Sequence, residues 1–200
     1  MNKQFEIIDS NLLLDDFLKI REYRIKHDLY EGGQSPELRR LRLEKEHAVS
    51  ILLYDPNQSS VVMVEQFRIG AKESDNSWLL ENPAGYVEPG ETIETVASRE
   101  VKEETNCEVS HLQLICEFFV SPGISNEKII LMCGQVDSTT AEGVHGLEHE
   151  GEDIRVEVLT LDQAKKELYN GRINSTSTIM AMQWLLLNKQ HLDNQWLSQS

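Results

Sequence analysis

The sequence predicts an α/β fold of three layers, α/β/α, with a mixed sheet in the middle. Three observations carry this. Runs rich in β-branched and aliphatic residues recur at 48–54, 61–67, 107–120, 127–136 and 154–159. A helical pattern at 92–105 stands among these runs rather than after them. Two further helical patterns, 161–170 and one from Ser175 or Thr176 to about His191, close the chain. With 200 residues there is enough chain for one domain of ordinary size, plus an appendage.

Taken in order, 5–8 (FEII) is a short apolar strand. Residues 17–30 set Ile20, Tyr23, Ile25 and Leu29 against Arg21, Arg24, Lys26 and Asp28, an alternation that suggests a long, irregular strand. EGGQSP at 31–36 is a turn, and LRRLRLEKE at 38–46 returns as the second arm of a hairpin. This N-terminal portion, 1–46, is either an edge hairpin of the main sheet or a dimerisation arm, and pattern alone does not choose. The remainder, 47–200, reads as the main domain. There AVSILLY (48–54) and VVMVEQF (61–67) are strands joined by the turn DPNQ, and WLLE (78–81) is a third run that NPAG (82–85) breaks. Ser121-Pro122-Gly123 separates the next two strands. The stretch STTAEGVHGLEHEGED (138–153) is long, polar and acidic, and such a loop in a compact chain is usually functional or disordered. Gly171 stops the helix at 161–170.

Composition narrows the function. A net charge of −15 argues against non-specific binding to nucleic acid or to anionic membrane surfaces. The N-terminal MNKQFEIIDS has no apolar leader core, and no apolar run approaches the ~20 residues needed to cross a bilayer. Cys107, Cys116 and Cys133 are odd in number and form no CxxC pair, so they read as reduced, buried residues of a cytoplasmic protein.

The informative stretch is GYVEPGETIETVASREVKEETNC, 85–107. On a helix of ~100° per residue, Ile93, Val96, Ala97 and Val101 make one apolar stripe. Glu100, Glu103 and Glu104 fall within that stripe or at its edge, where carboxylates are costly unless neutralised. Three of them at i, i+3 and i+4 will not all ionise together without a cation. A divalent metal is the simplest answer, and oxygen ligands favour Mg²⁺ or Mn²⁺.

The same stretch resembles the Nudix box. Gly85, Glu91, Arg99, Glu100, Val101, Glu103 and Glu104 stand at its required positions, and Asn106 replaces its second glycine, where a left-handed helix end tolerates Asn. Pro122, sixteen residues beyond Asn106, and the segments YRIKH, EQFRIGA, SPG and HGLEHEGEDIRV are similar to the bacterial ADP-ribose pyrophosphatases of that superfamily. The resemblance implies a Nudix α/β/α sandwich with a small N-terminal β domain exchanged between the two subunits of a homodimer. It also implies hydrolysis of ADP-ribose to AMP and ribose 5-phosphate with Mg²⁺ (Mn²⁺ as a substitute), two or three ions per site.

Residue by residue, the resemblance implies that Glu100, Glu104 and the carbonyl of Ala84 hold metal, with Glu152 added from the acidic loop. Glu103 is a secondary ligand or supports the attacking water, and Arg99 orients Glu91 or Glu103. Glu150 is the general base, with Glu148 as the alternative; His145 and His149 are incidental. Phe17 lies against the adenine and Leu18 joins it in binding substrate. Arg40 arrives from the partner chain and Arg68 from the same subunit, with Tyr86, Ser121 and Glu127 as further substrate contacts. The competing expectations are a pyrophosphatase for another nucleoside-diphosphate sugar, such as GDP-mannose, and a non-catalytic nucleotide sensor, though sensors typically lose box glutamates that are all present here.

Overall fold

The computed structural model describes residues 2–197; the side chain of Glu150 lies outside the described residues. The chain forms two compact units. One takes in the chain up to His47 together with Phe119–Lys128, the other Ala48–Phe118 and the chain from Ile129 onward.

The first unit is an antiparallel sheet of β1 (Phe5–Asp15), β2 (Lys19–His27) and β3 (Leu38–Glu44), in that order. It is separate from the main sheet, so the N-terminal strands are not an edge hairpin of it. β1 runs well past the four residues expected. Its register shifts between Ile7 and Asp9 and again between Leu12 and Leu14, and these bulges erase the period-two pattern that would have revealed it. Every residue of β1 is exposed, Phe5 at 70%. Phe17 and Leu18 sit in the bend before β2, not in a strand, because the Asp16 carboxylate accepts the Phe17 N–H at 2.8 Å and closes a turn. Within the same unit, Phe119–Lys128 docks along the end of β3. Leu43 N–H donates to the Ile124 carbonyl at 2.8 Å, and the Asn126 amide bonds both the N–H and the carbonyl of Lys45.

The second unit carries β4 (Ala48–Asp55), β5 (Ser60–Phe67), β6 (Trp78–Glu81), β7 (Ala84–Tyr86), helix α1 (Ile93–Thr105), β8 (His111–Phe119), β9 (Lys128–Gln135), β10 (Val144–His145), β11 (Ile154–Thr160), α2 (Leu161–Tyr169) and α3 (Thr176–Trp196). The sheet order is β10-β11-β5-β4-β9-β8, with β6 beside β5 and β7 beside β4. β4 runs parallel to β9 and antiparallel to β5 and β7, which makes the sheet mixed as expected. The layers follow from alternation along the strands. Val49, Ile51 and Leu53 of β4 face one way and pack with Val96, Ala97 and Val101 of α1. Leu52 and Tyr54 face the other way and pack with Ala181, Met182 and Leu185 of α3. No helix among the described residues is long and apolar enough to cross a membrane.

Several expectations are corrected. NPAG is not simply a break: Ala84–Tyr86 pairs with Ala48–Ser50 as a strand. The acidic stretch holds a short strand, β10, against β11, so it is partly built into the sheet. α3 continues to Trp196, because Leu192 and Trp196 extend its buried face. Cys107 and Cys133 are buried, but Cys116 is only half-buried; all three are free thiols.

Candidate active site

α1 is the scaffold. Thr92 caps it by accepting the Thr95 N–H at 3.2 Å. Asn106 ends it in the left-handed conformation (φ 59°, ψ 6°), its N–H on the Lys102 carbonyl, so Asn does there what a glycine would. Because Val96, Ala97 and Val101 are wholly buried, the wheel turns Glu104 into the interior, where it is 4% exposed. Glu100 is mostly covered and Glu103 partly so.

Opposite these glutamates runs the β6–β7 connection. Ile51 N–H donates to the Pro83 carbonyl at 2.9 Å, and Ala84 pairs with Ser50. Beneath it, buried Asn82 donates its N–H to Thr178 and its amide to Ser50, pinning the turn to α3 and β4. Gly85 follows, and its lack of a side chain is required. A Cβ there would stand 1.7 Å from the Oε1 of Glu100, so the glycine opens the cradle that carboxylate occupies.

The cavity so formed holds about 220 Å³. Arg99, Glu100 and Glu103 line it from α1, Ala84, Gly85, Tyr86 and Glu88 from β7 and its flank, Arg68 from beyond β5, and Leu147 and Glu152 from the acidic loop. Glu152 is set by its own loop: its carboxylate accepts the Leu147 N–H at 3.1 Å, and its N–H returns to the Leu147 carbonyl at 3.3 Å. Gly146 permits this turn, with φ of +104° and no room for a Cβ, which would meet the Glu152 Cβ at 2.6 Å.

The electrostatics are those of crowded carboxylates. Burial, then the charges of Glu100 and Glu152, push the Glu104 carboxyl well above the ordinary range, against the opposing pull of Arg68 and an Ala84 backbone bond. Burial also raises Glu100, with Arg99 opposing. Arg99 bonds Glu100 Oε1 at 2.8 Å and Glu103 Oε2 at 3.2 Å, and grips Glu91 through two bonds of 3.3 Å. It thus reaches both glutamates expected of it, and Glu100 as well. Burial alone would lower its guanidinium; Glu91 and Glu100 outweigh that and hold it above its ordinary value. Among the described residues no three His, Cys, Asp or Glu side chains stand together as a ready metal group, and Arg99 is the cation paired with Glu100 and Glu103. The residues nonetheless suit a hard divalent ion. Glu104 Oε2 is buried with no hydrogen-bond partner among the described residues, Glu100 lies in a cradle one turn away, and the donors are oxygens.

The other expected residues are placed as follows. Glu148 is exposed on the short helical turn Glu148–Glu150, and the Glu150 side chain lies outside the described residues. Phe17, Leu18, Arg40, Ser121 and Glu127 belong to the first unit. Phe17 is 90% exposed. Arg39 is paired with Glu22 and Arg42 with Glu44, whereas Arg40 donates to the backbone carbonyl of Arg39 and lines a cavity with Phe5, Tyr23 and Pro122. Ser121 accepts the Ile124 and Ser125 N–H groups in a turn, and Glu127 donates its N–H to Ser125 Oγ. Leu147, Glu88 and the Glu81 that holds Arg68 were not singled out from sequence. No local pattern marks them, because each depends on a chain path set elsewhere.

A model of the NUDIX domain family matches residues 44–178. The chain is 42% identical over 192 residues to the ADP-ribose pyrophosphatase of Escherichia coli K12, covering 96% of this chain and 92% of that one. It is 41% identical to the ADP-ribose pyrophosphatase of Haemophilus influenzae, covering 97% and 91%. It is 28% identical to a GDP-mannose pyrophosphatase of Shigella flexneri, covering 94% and 98%. Among solved structures, an ADP compounds hydrolase superposes with a TM-score of 0.72 at 18% identity over 96% of both chains, a likeness of fold.

Proposed function

Because the chain belongs to the Nudix family, we propose that it is an ADP-ribose pyrophosphatase, cleaving ADP-ribose to AMP and ribose 5-phosphate. The observation that carries this is the identity of 41–42% to ADP-ribose pyrophosphatases across nearly the whole chain, against 28% to a GDP-mannose pyrophosphatase of similar coverage.

Mg²⁺, or Mn²⁺ in its place, would be held by Glu100, Glu104, Glu152 and the Ala84 carbonyl, with two or three ions per site. When bound it neutralises pyrophosphate charge and makes water more acidic. The chain does the rest. Arg99 fixes Glu100 and Glu103 by charge-assisted bonds. Glu103 steadies the attacking water, and Glu150, carried in by the acidic loop, takes its proton. Arg68 and Tyr86, both in the cavity lining, orient the phosphates and ribose.

Of the remaining contacts, Arg40 would come from the partner chain of a homodimer that exchanges the N-terminal sheet, with Phe17 against the adenine and Leu18, Ser121 and Glu127 as further substrate contacts. Support comes from the exposed apolar strand β1, the exposed ring of Phe17, and an Arg40 that no carboxylate claims among the described residues. The three free thiols support a cytoplasmic setting. A hydrolysis panel of ADP-ribose, GDP-mannose and ADP-glucose with Mg²⁺ tests the assignment. The highest kcat/KM is expected on ADP-ribose; a higher value on GDP-mannose would replace it with the other sugar-nucleotide activity.

A further inference from the structure

We propose that Glu81 is a positioning residue that holds the Arg68 guanidinium away from the metal-binding carboxylates and in place for substrate. This rests on the reading above, that Glu100, Glu104 and Glu152 take the metal and Arg68 the nucleotide.

Arg68 follows the end of β5 and has its backbone N–H fixed on the Ser77 carbonyl at 2.8 Å. Its side chain is 44% exposed and flexible by nature. It lines the cavity beside Ala84, Gly85, Glu100, Glu103 and Glu152. Its charge also reaches the buried Glu104, whose ionised form it favours. A guanidinium so placed has a choice of partners, because Glu100, Glu103 and Glu152 line the same cavity. Left free, it would be drawn onto those carboxylates and compete with a divalent ion for the same oxygens.

Glu81 supplies the alternative. It is the last residue of β6, in register with Val64 of β5, so two paired strands bring it to Arg68. Its side chain is only 14% exposed, and its Oε2 accepts the Arg68 Nε–H at 2.7 Å. Among the described residues the cavity lining includes Arg68 but not Glu81. The bond uses Nε and, among the described residues, leaves both terminal nitrogens of the guanidinium for phosphate or ribose oxygens. A plain surface ion pair would be worth little. The low exposure of Glu81 and the rival carboxylates facing Arg68 are what give this pair a role.

The test compares Glu81→Gln, Arg68→Gln and the double variant. Mg²⁺ affinity is read by titration calorimetry on the whole protein, and KM and kcat are read with ADP-ribose. Glu81→Gln should weaken Mg²⁺ binding by roughly 10–100-fold, the usual cost of losing a residue that orients a site, and should raise KM. In the Arg68→Gln background the same substitution should change neither quantity, because the cation it restrained is gone. Equal losses in both backgrounds would mean that Glu81 acts without Arg68, and would overturn the proposal, as would unchanged Mg²⁺ affinity in Glu81→Gln. Glu81→Asp keeps the charge and should restore most of the affinity; if Glu81→Gln does not fold, Glu81→Ala with and without Arg68→Gln carries the same comparison. The underlying reading fails separately, if Glu104→Gln binds Mg²⁺ as tightly as the natural chain.

Discussion

Gly85→Ala isolates the geometry of the site from the stability of the fold. The backbone at Gly85 is not left-handed, so alanine adds no conformational strain there, only a methyl group. That methyl would lie 1.7 Å from Glu100 Oε1 and 2.0 Å from its Cδ. Ordinary contact begins near 3.4 Å, so the whole carboxyl group must retreat by roughly 1.7 Å. Glu100 can do this by turning its flexible end outward, so the helix and its buried stripe stay intact. A catalytic group misplaced by about 1 Å costs on the order of 10²-fold in rate. We therefore expect Mg²⁺-dependent hydrolysis of ADP-ribose to fall by at least ~10²-fold, with Tm in chelator nearly unchanged. Gly70→Ala is the control, since its added methyl meets nothing within 4 Å; it should keep full activity. Activity within a few fold of normal in Gly85→Ala would refute the cradle. A collapse of Tm would show that Gly85 serves the fold instead.

Three further outcomes follow from the carboxylates. Folding raises the Glu100 and Glu104 carboxyls above their unfolded values, by burial first. Their contribution to stability is thus full below the unfolded carboxylate range and is lost as pH rises through the folded values. In chelator, the Tm of the natural chain should therefore fall relative to that of Glu104→Gln as pH climbs from acidic to neutral. Mg²⁺ at about 100 times its Kd should return about 2.7 kcal/mol, or roughly 5–10 °C for a chain of this size, and Glu104→Gln should abolish that gain in differential scanning calorimetry. Glu150→Gln should lower kcat by ~10²–10⁴ while Mg²⁺ affinity holds; near-normal turnover in that variant would move the base to Glu148.

What could be read from the sequence was what local spacing decides. The α1 stripe, the inward turn of Glu104 and the left-handed end at Asn106 all follow from residues within one helix. β4 and β5 were legible because both are apolar and joined by a short turn. β7 was not, since Pro83 and Gly85 look like punctuation and its partner Ala48–Ser50 lies far upstream. β10 is two residues long and exists only because β11 is beside it. The site divides in the same way. Glu100, Glu103 and Glu104 announce themselves by spacing, and the motif marks Gly85. That Gly85 is needed to seat Glu100, that Arg68 is tied to Glu81, and that Leu147 holds Glu152 are facts of tertiary path.

The excursion of Phe119–Lys128 has a consequence for dissection. Neither unit is a continuous piece of chain. Cutting after His47 would remove the three N-terminal strands but leave behind the strap that clasps Leu43 and Lys45, with Ile124 and Asn126 stripped of the groups they bond. Between β8 and β9 the polypeptide leaves one unit for the other and returns, so the β4–β9 pairing cannot form during synthesis until that detour has been made. A clean separation of the units therefore needs the strap replaced by a short turn.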